Sequence, residues 1–129
     1  MKSKQLLRFY FYADGLNKAL DNLILKYACS EDYCRGGEFY ADRICDVIWA
    51  KQRLCELWKY LDGVVDGLTA GEREVLRYYG AMRGGTGRLS EDSRREIKRV
   101  TVKFTRHARN IGRFAEGVKL VKKYYCLIC

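Results

Sequence analysis

The sequence predicts an all-α protein, and three observations support this. Apolar residues recur at alternating intervals of three and four over long stretches, which is the spacing of one face of an α-helix. The chain contains no proline, the residue that breaks helices most strongly. The stretches that interrupt the periodicity are short, and several are rich in glycine. We expect a helical bundle: an antiparallel hairpin of two long helices, then a short helix and a long basic C-terminal helix.

The length and composition of the chain fit one domain. It has 129 residues, of which 48% are hydrophobic, enough to bury a core. We therefore treat residues 1–129 as a single helical domain. Within it, residues 1–66 form the helical hairpin and residues 68–125 form a basic part with helix-turn-helix character as one alternative.

The first helix is predicted from an unbroken apolar stripe. Its positions are Leu6, Phe9, Ala13, Leu16, Leu20, Leu23 and Tyr27. This spacing predicts one helix of about 25 residues. The signal fades at Cys29, and Gly36 and Gly37 indicate a loop.

The second helix is predicted from Glu38 to Asp66. Its stripe consists of Tyr40, Ile44, Val47, Lys51, Leu54, Trp58, Leu61 and Val65. Because the intervening loop is short, the two helices should pair antiparallel. Cys45 and Cys55 lie within this pattern, and we expect them to be small core residues.

A short third helix is predicted over residues 70–82. Thr69 and Glu72 have the spacing of a capping box, in which the threonine hydroxyl and the glutamate carboxylate satisfy free N–H groups at the helix start. Four nearby glycines predict the next break: Gly80, Gly84, Gly85 and Gly87.

The last segment, residues 90–125, has two interpretations. Ser90 is a typical N-cap, and the apolar stripe continues with even spacing from Ile97 to Tyr125. One unbroken helix is the simpler interpretation and the one we favour. The alternative is a helix-turn-helix with a bend within Thr101–Thr105, although no glycine or proline enforces a turn there. Gly112 and Gly117 also permit a bend near them.

Positive charge is concentrated in the last third of the chain. Residues 1–82 contain twelve Lys and Arg against twelve Asp and Glu, whereas residues 83–129 contain thirteen against four. The whole net charge of +9 therefore lies after residue 82. Such asymmetry predicts a polyanionic partner, of which nucleic acid is the commonest.

The candidate nucleic-acid-binding residues lie off the apolar stripe of the segment 90–125. They are Arg95, Lys98, Arg99, Lys103, Thr105, Arg106, Arg109, Asn110 and Arg113. Arginine is suited to bidentate phosphate contact, and Thr105, Arg106, Arg109 and Asn110 carry groups that can hydrogen-bond base edges. Hydrated surface cations are the plainer explanation of the same pattern.

The motif Leu-Thr-Ala-Gly-Glu-Arg-Glu-Val-Leu-Arg-Tyr-Tyr-Gly, residues 68–80, resembles the opening helix of sigma-factor region 4 and LuxR-type helix-turn-helix domains. The resemblance implies a DNA-binding transcriptional regulator. It further implies that Arg94–Thr101 is the supporting helix and Thr105–Phe114 the recognition helix. The sequence departs from the family pattern after Ile97, where Lys98 replaces the usual alanine, and it lacks the usual Leu-Gly turn.

The sequence contains no constellation typical of catalysis. The one histidine, His107, falls on the apolar side of the last segment, where we expect a core or boundary residue. The glycine-rich stretch 80–88 lacks the Lys-Ser/Thr ending of a phosphate-binding P-loop. We therefore expect a non-enzymatic protein without a cofactor.

Four cysteines have the ligand number of a structural zinc site: Cys29, Cys34, Cys126 and Cys129. The first pair is spaced more widely than the usual knuckle and the second pair lies at the chain end, so we expect unligated thiols and no metal. No apolar run approaches the roughly 20 residues of a transmembrane helix. We expect a cytoplasmic protein with reduced cysteines that does not bind membranes.

Two classes of function therefore compete at the level of sequence. The first is a sigma-like DNA-binding regulator that binds the phosphates of double-stranded DNA and has RNA polymerase or another protein as a further partner. RNA remains open as the nucleic acid. The second is a structural or adaptor bundle that mediates protein–protein interaction or self-association through its apolar stripes. The oligomeric state is left open.

Overall fold

The computed structural model describes residues 3–29, 38–82, 86–110 and 114–127. These residues form six α-helices and two 3-10 turns and contain no strand, which confirms the all-α bundle. The helices are α1 (Ser3–Phe11), α2 (Ala13–Ala28), α3 (Glu38–Asp66), α4 (Ala70–Ala81), α5 (Glu91–Arg109) and α6 (Phe114–Tyr124). The 3-10 turns are Thr86–Arg88 and Tyr125–Leu127. No helix among the described residues has the length and apolarity needed to cross a bilayer.

Helices α2 and α3 form the predicted antiparallel hairpin. The rings of Tyr27 and Tyr40 lie 5.9 Å apart near one end of the pair. Further along, Lys51 Nζ lies 2.6 Å from Asp21 Oδ1. Because the contacting residue numbers rise in one helix as they fall in the other, the two helices run in opposite directions.

The prediction of one unbroken first helix is wrong, because the helix is interrupted at Tyr12. This residue has φ −112° and ψ 21°, outside the helical range, and separates α1 from α2. The two helices have different main partners: α1 packs against α4, whereas α2 packs against α3. The indole N–H of Trp58 donates to the main-chain carbonyl of Tyr10 at 2.9 Å and satisfies one of the free carbonyls at the end of α1.

One apolar core joins the six helices. Its buried residues include Leu6, Leu7 and Phe9 of α1, Leu16 and Leu20 of α2, Val47, Leu54, Leu57 and Leu61 of α3, Leu76 of α4, Val100, Phe104 and Ala108 of α5, and Leu120 and Val121 of α6. Most stripe positions are therefore buried as the periodicity predicts. The assignment of Cys45 and Cys55 to the core is wrong: both are exposed, because they lie off the side of α3 that carries Val47, Leu54 and Leu61.

The start of α4 confirms the capping box. Thr69 Oγ1 accepts a hydrogen bond from the Glu72 N–H at 3.2 Å, and the Thr69 N–H donates to Glu72 Oε1 at 3.1 Å. Both bonds satisfy N–H groups that have no partner within the helix. The capping box fixes the position of the Glu72 side chain at the start of α4, where it meets α5.

Neither one unbroken helix nor a turn within Thr101–Thr105 occurs in the segment 90–125, whereas a bend near Gly112, which the sequence permits, agrees with the helix bounds. Helix α5 is continuous through Thr101–Thr105, so no turn lies there, but it ends at Arg109, and a separate helix, α6, begins at Phe114. The separate helices of the family resemblance, Arg94–Thr101 and Thr105–Phe114, therefore do not occur as such. The physical reason is a change of partner: α5 packs against α4 and α3, whereas α6 packs against α3 and α1.

Gly117 permits the close approach of α6 to α3. A Cβ atom added at this position would lie 2.8 Å from Leu57 Cδ2 and 3.3 Å from Leu57 Cβ. Both distances are shorter than ordinary van der Waals contact, and Leu57 is buried in the core. A larger side chain at residue 117 therefore forces the two helices apart.

We predict opposite effects for substitutions at two helical glycines. Gly117→Val should lower the free energy of unfolding by about 1–3 kcal/mol because it overpacks the contact with Leu57. Gly63→Ala should raise it by about 0.5–1 kcal/mol, because a Cβ there meets nothing within 4 Å and alanine favours the helix. Urea denaturation followed by circular dichroism measures both. Equal effects of the two substitutions would contradict the close approach at Gly117.

Candidate nucleic-acid interface

The candidate interface is built on α5, whose sequence determines both its start and its orientation. Ser90 Oγ accepts a hydrogen bond from the Ser93 N–H at 3.2 Å, and Glu91 and Asp92 complement the helix dipole in the first turn. The face that points into the core consists of Ile97, Val100, Phe104 and Ala108. The opposite face of α5 is exposed and carries most of its cations.

The structure divides these cations into two groups. We call the first group the committed cations, Arg99 and Lys103, because both contact Glu72 of α4. Lys103 Nζ lies 3.2 Å from each carboxylate oxygen of Glu72, and Arg99 Nη1 lies 3.3 Å from Oε2. Arg99 also donates to Glu96 Oε1 at 2.6 Å through Nη2.

Glu72 is a buried carboxylate whose partners come from two helices. Its side chain is only 6% exposed. The Thr69 N–H, and then the Lys103 ammonium, lower the pKa of Glu72 from the ordinary 4.5 to about 2. A buried charge of this kind is stable only while its partners remain in place. The committed cations are therefore part of the contact between α4 and α5.

We call the second group the free cations: Lys98, Arg106 and Arg109. All three are exposed, and no carboxylate among the residues that the structure describes forms a salt bridge with them. Arg95 lies beside them and pairs with Glu91 at 2.8 Å, but both side chains are 71% exposed. Exposed pairs of this kind contribute little to stability, so Arg95 remains available to a ligand.

The remaining predicted site residues differ in their availability. Thr105 donates its hydroxyl hydrogen to the Thr101 carbonyl at 2.8 Å within α5, so this hydrogen is already used. Asn110 is exposed and caps the end of α5. Arg113 lies outside the described residues. Val102, an exposed apolar residue, lies among the cations.

The expectation for His107 is wrong. The residue is exposed rather than in the core or at its boundary. The buried side of α5 carries Phe104 and Ala108, and position 107 lies off that side. Its side chain instead contributes to a shallow depression in the cationic surface, which Lys98, Lys103 and Arg106 also line.

Two features of this surface were not predicted from the sequence. Glu72 was assigned to the capping box alone, and no local pattern indicates that this carboxylate also binds residues 27 and 31 positions later. Arg94, which is exposed on α5 one turn before Lys98, was left out of the candidate residues. The same helical spacing that identified Lys98 was sufficient to find Arg94.

The cysteines give no support for a zinc site. Cys29 and Cys126 are exposed and not in a disulfide, and Cys34 and Cys129 lie outside the described residues. In the described ranges, no three His, Cys, Asp or Glu side chains are grouped as metal ligands.

Comparison of the chain with protein-family models, curated proteins and solved structures finds no match.

We predict that Glu72 makes stability depend on pH in the acid range. Its pKa is lower in the folded chain than in the unfolded chain, so the Glu72 carboxylate binds fewer protons in the folded state than in the unfolded state. The stabilisation is complete above about pH 4.5 and decreases as the pH falls towards about 2. Glu72→Gln removes this contribution. Between about pH 4.5 and pH 2, the free energy of unfolding of the variant should therefore fall less than that of the wild type.

Urea denaturation at a series of pH values measures the difference. The matched control is Glu74→Gln, an exposed carboxylate on the same helix. The control should follow the wild-type pH dependence. If the Glu72 variant does so as well, the carboxylate is not held as the structure shows.

Proposed function

We propose that this chain is a non-enzymatic nucleic-acid-binding protein that binds the phosphates of double-stranded DNA through the exposed face of α5. The observation that supports this function best is the group of free cations, Lys98, Arg106 and Arg109. They lie on the side of one continuous helix that faces away from the core and have no carboxylate partner among the described residues.

The chemistry of these side chains suits phosphate. Arg106 and Arg109 present planar guanidinium groups that donate two parallel hydrogen bonds to a phosphate, and Lys98 adds a point charge. Cations without an internal partner release the condensed counterions of DNA without first breaking a salt bridge. Val102, Arg106 and Asn110 extend the same surface with groups suited to contact base edges.

The distribution of charge supports the same surface. The net charge of +9 lies wholly after residue 82, in the part of the chain that contains α5 and α6, whereas residues 1–82 are neutral overall. An uneven distribution of charge orients a protein as it approaches a polyanion. The charge therefore favours DNA contact through α5 over contact through the hairpin.

The proposal includes a role in transcription regulation of the sigma-like type, with RNA polymerase or another protein as a further partner, in the cytoplasm. Support for this finer role comes from the resemblance of residues 68–80. Because α5 is continuous, we propose that it binds DNA as one rod rather than as two helices joined by a turn.

A structural or adaptor bundle is the second candidate. Its support is a set of large apolar side chains exposed on the hairpin, of which Leu25 is 59% exposed and Tyr60 52% exposed. Trp49 is also exposed and stacks with the Arg53 guanidinium. Exposed apolar side chains contribute to protein–protein interfaces when they are contiguous.

We expect Arg106→Gln with Arg109→Gln to weaken binding to a labelled 20-base-pair duplex at least about tenfold at roughly 0.1 M salt. The slope of log K against log salt should become shallower by about 1.8, because two phosphate contacts are lost. Fluorescence anisotropy across a salt series measures both quantities.

The matched control is Arg73→Gln with Arg77→Gln, which removes the same charge from two exposed positions about one helical turn apart on α4. The control should bind as the wild type does. Equal losses in the two double variants would show that net charge rather than the α5 face determines binding. Absence of wild-type binding at low salt would reject the DNA-binding function, and the mass in solution would then test self-association.

A further inference from the structure

We infer that Glu72 restricts the phosphate-binding surface of α5 by holding Arg99 and Lys103 away from a nucleic-acid ligand. The inference rests on the proposed function and adds to it a residue that determines how many phosphates the protein binds. Glu72 acts through the two committed cations and does not itself touch the ligand, so it is a positioning residue.

The committed cations border the free ones. Arg99 lies seven residues before Arg106, which places both on the same side of α5. The depression on the α5 surface is lined by both groups: Arg99 and Lys103 of the committed cations, and Lys98 and Arg106 of the free cations. Arg99 is 55% exposed and Lys103 is 42% exposed, so each lies within reach of an external phosphate once Glu72 no longer holds it. Arg99 keeps its pair with Glu96, but both side chains of that pair are exposed, and such pairs are weak enough to yield to a ligand.

A phosphate and the Glu72 carboxylate compete for the same donors. Glu72 has the advantage because the capping box and its burial hold it in position. A phosphate that displaced it would leave a buried carboxylate without its two cations, which is strongly unfavourable. Arg99 and Lys103 therefore stay with Glu72, and DNA is left with the free cations.

A purely structural role of Glu72 gives a different expectation. If the ion pairs only join α4 to α5, removing the carboxylate charge lowers stability and leaves DNA affinity unchanged or weaker. If Glu72 also restricts the surface, removing the charge releases two cations and strengthens DNA binding. The direction of the affinity change therefore separates the two roles.

We expect Glu72→Gln to bind the same labelled duplex at least about tenfold more tightly at roughly 0.1 M salt, because two further phosphate contacts form. The slope of log K against log salt should become steeper by up to about 1.8. Glutamine still accepts the Thr69 N–H, so the capping box is kept. The triple variant Glu72→Gln, Arg99→Gln, Lys103→Gln should return to wild-type affinity.

Two controls make the result specific. Glu74→Gln removes one negative charge from the same helix at an exposed position and should change affinity less than about twofold. In case Glu72→Gln unfolds, the wild-type protein provides a second measurement. On titration with duplex, the side-chain N–H resonances of Arg106 and Arg109 should shift, whereas that of Arg99 should not.

The outcomes distinguish this inference from the proposed function. If the wild type binds DNA through Arg106 and Arg109 but Glu72→Gln binds no more tightly, or if Arg99 shifts with them, the inference is overturned and the proposed function stands. If only the variant binds, Glu72 restricts the surface and the wild-type function is rejected. If neither protein binds, both are overturned.

Discussion

The buried carboxylate of Glu72 is paired with two cations of α5, and the availability of these cations to a ligand depends on it. The same carboxylate caps α4 through Thr69 and receives Arg99 and Lys103 from α5, so one buried group connects the start of one helix to the side of another. Apolar packing by Val100 and Phe104 holds α5 against the core but is not directional. The charged contact is directional, and it determines which cations on the exposed side of α5 remain available to a ligand.

Local patterns predicted the parts of the fold that depend on neighbours along the chain. Leu54, Leu61 and Phe104 are buried because a helix repeats every 3.6 residues, and the caps at Thr69 and Ser90 need only residues one turn away. The break at Tyr12 was not predicted, and the break after Arg109 was left open only as a bend near Gly112. At both places the helix changes its packing partner, and an apolar stripe that stays apolar carries no sign of that change.

The candidate site was predicted only in part, for a similar reason. Helical spacing correctly placed Lys98, Arg106 and Arg109 on the exposed face. It placed Arg99 and Lys103 there equally, because the five side chains have the same charge and the same period. What separates them is a carboxylate from another helix, 27 residues before Arg99. Long-range contacts of this kind depend on the packing of the whole chain and leave no trace in local spacing.

The continuity of α5 has a consequence for how the free cations meet a duplex. From Lys98 to Arg109 the helix advances about 16 Å at ~1.5 Å per residue. This length corresponds to roughly five base-pair steps of 3.4 Å along one strand. Cations spread over that distance on one side of a straight rod reach several phosphates only when the helix lies along the backbone. An end-on approach brings Arg109 and Asn110 to the DNA but leaves Lys98 without a contact, so the positions of the cations favour the lengthwise arrangement.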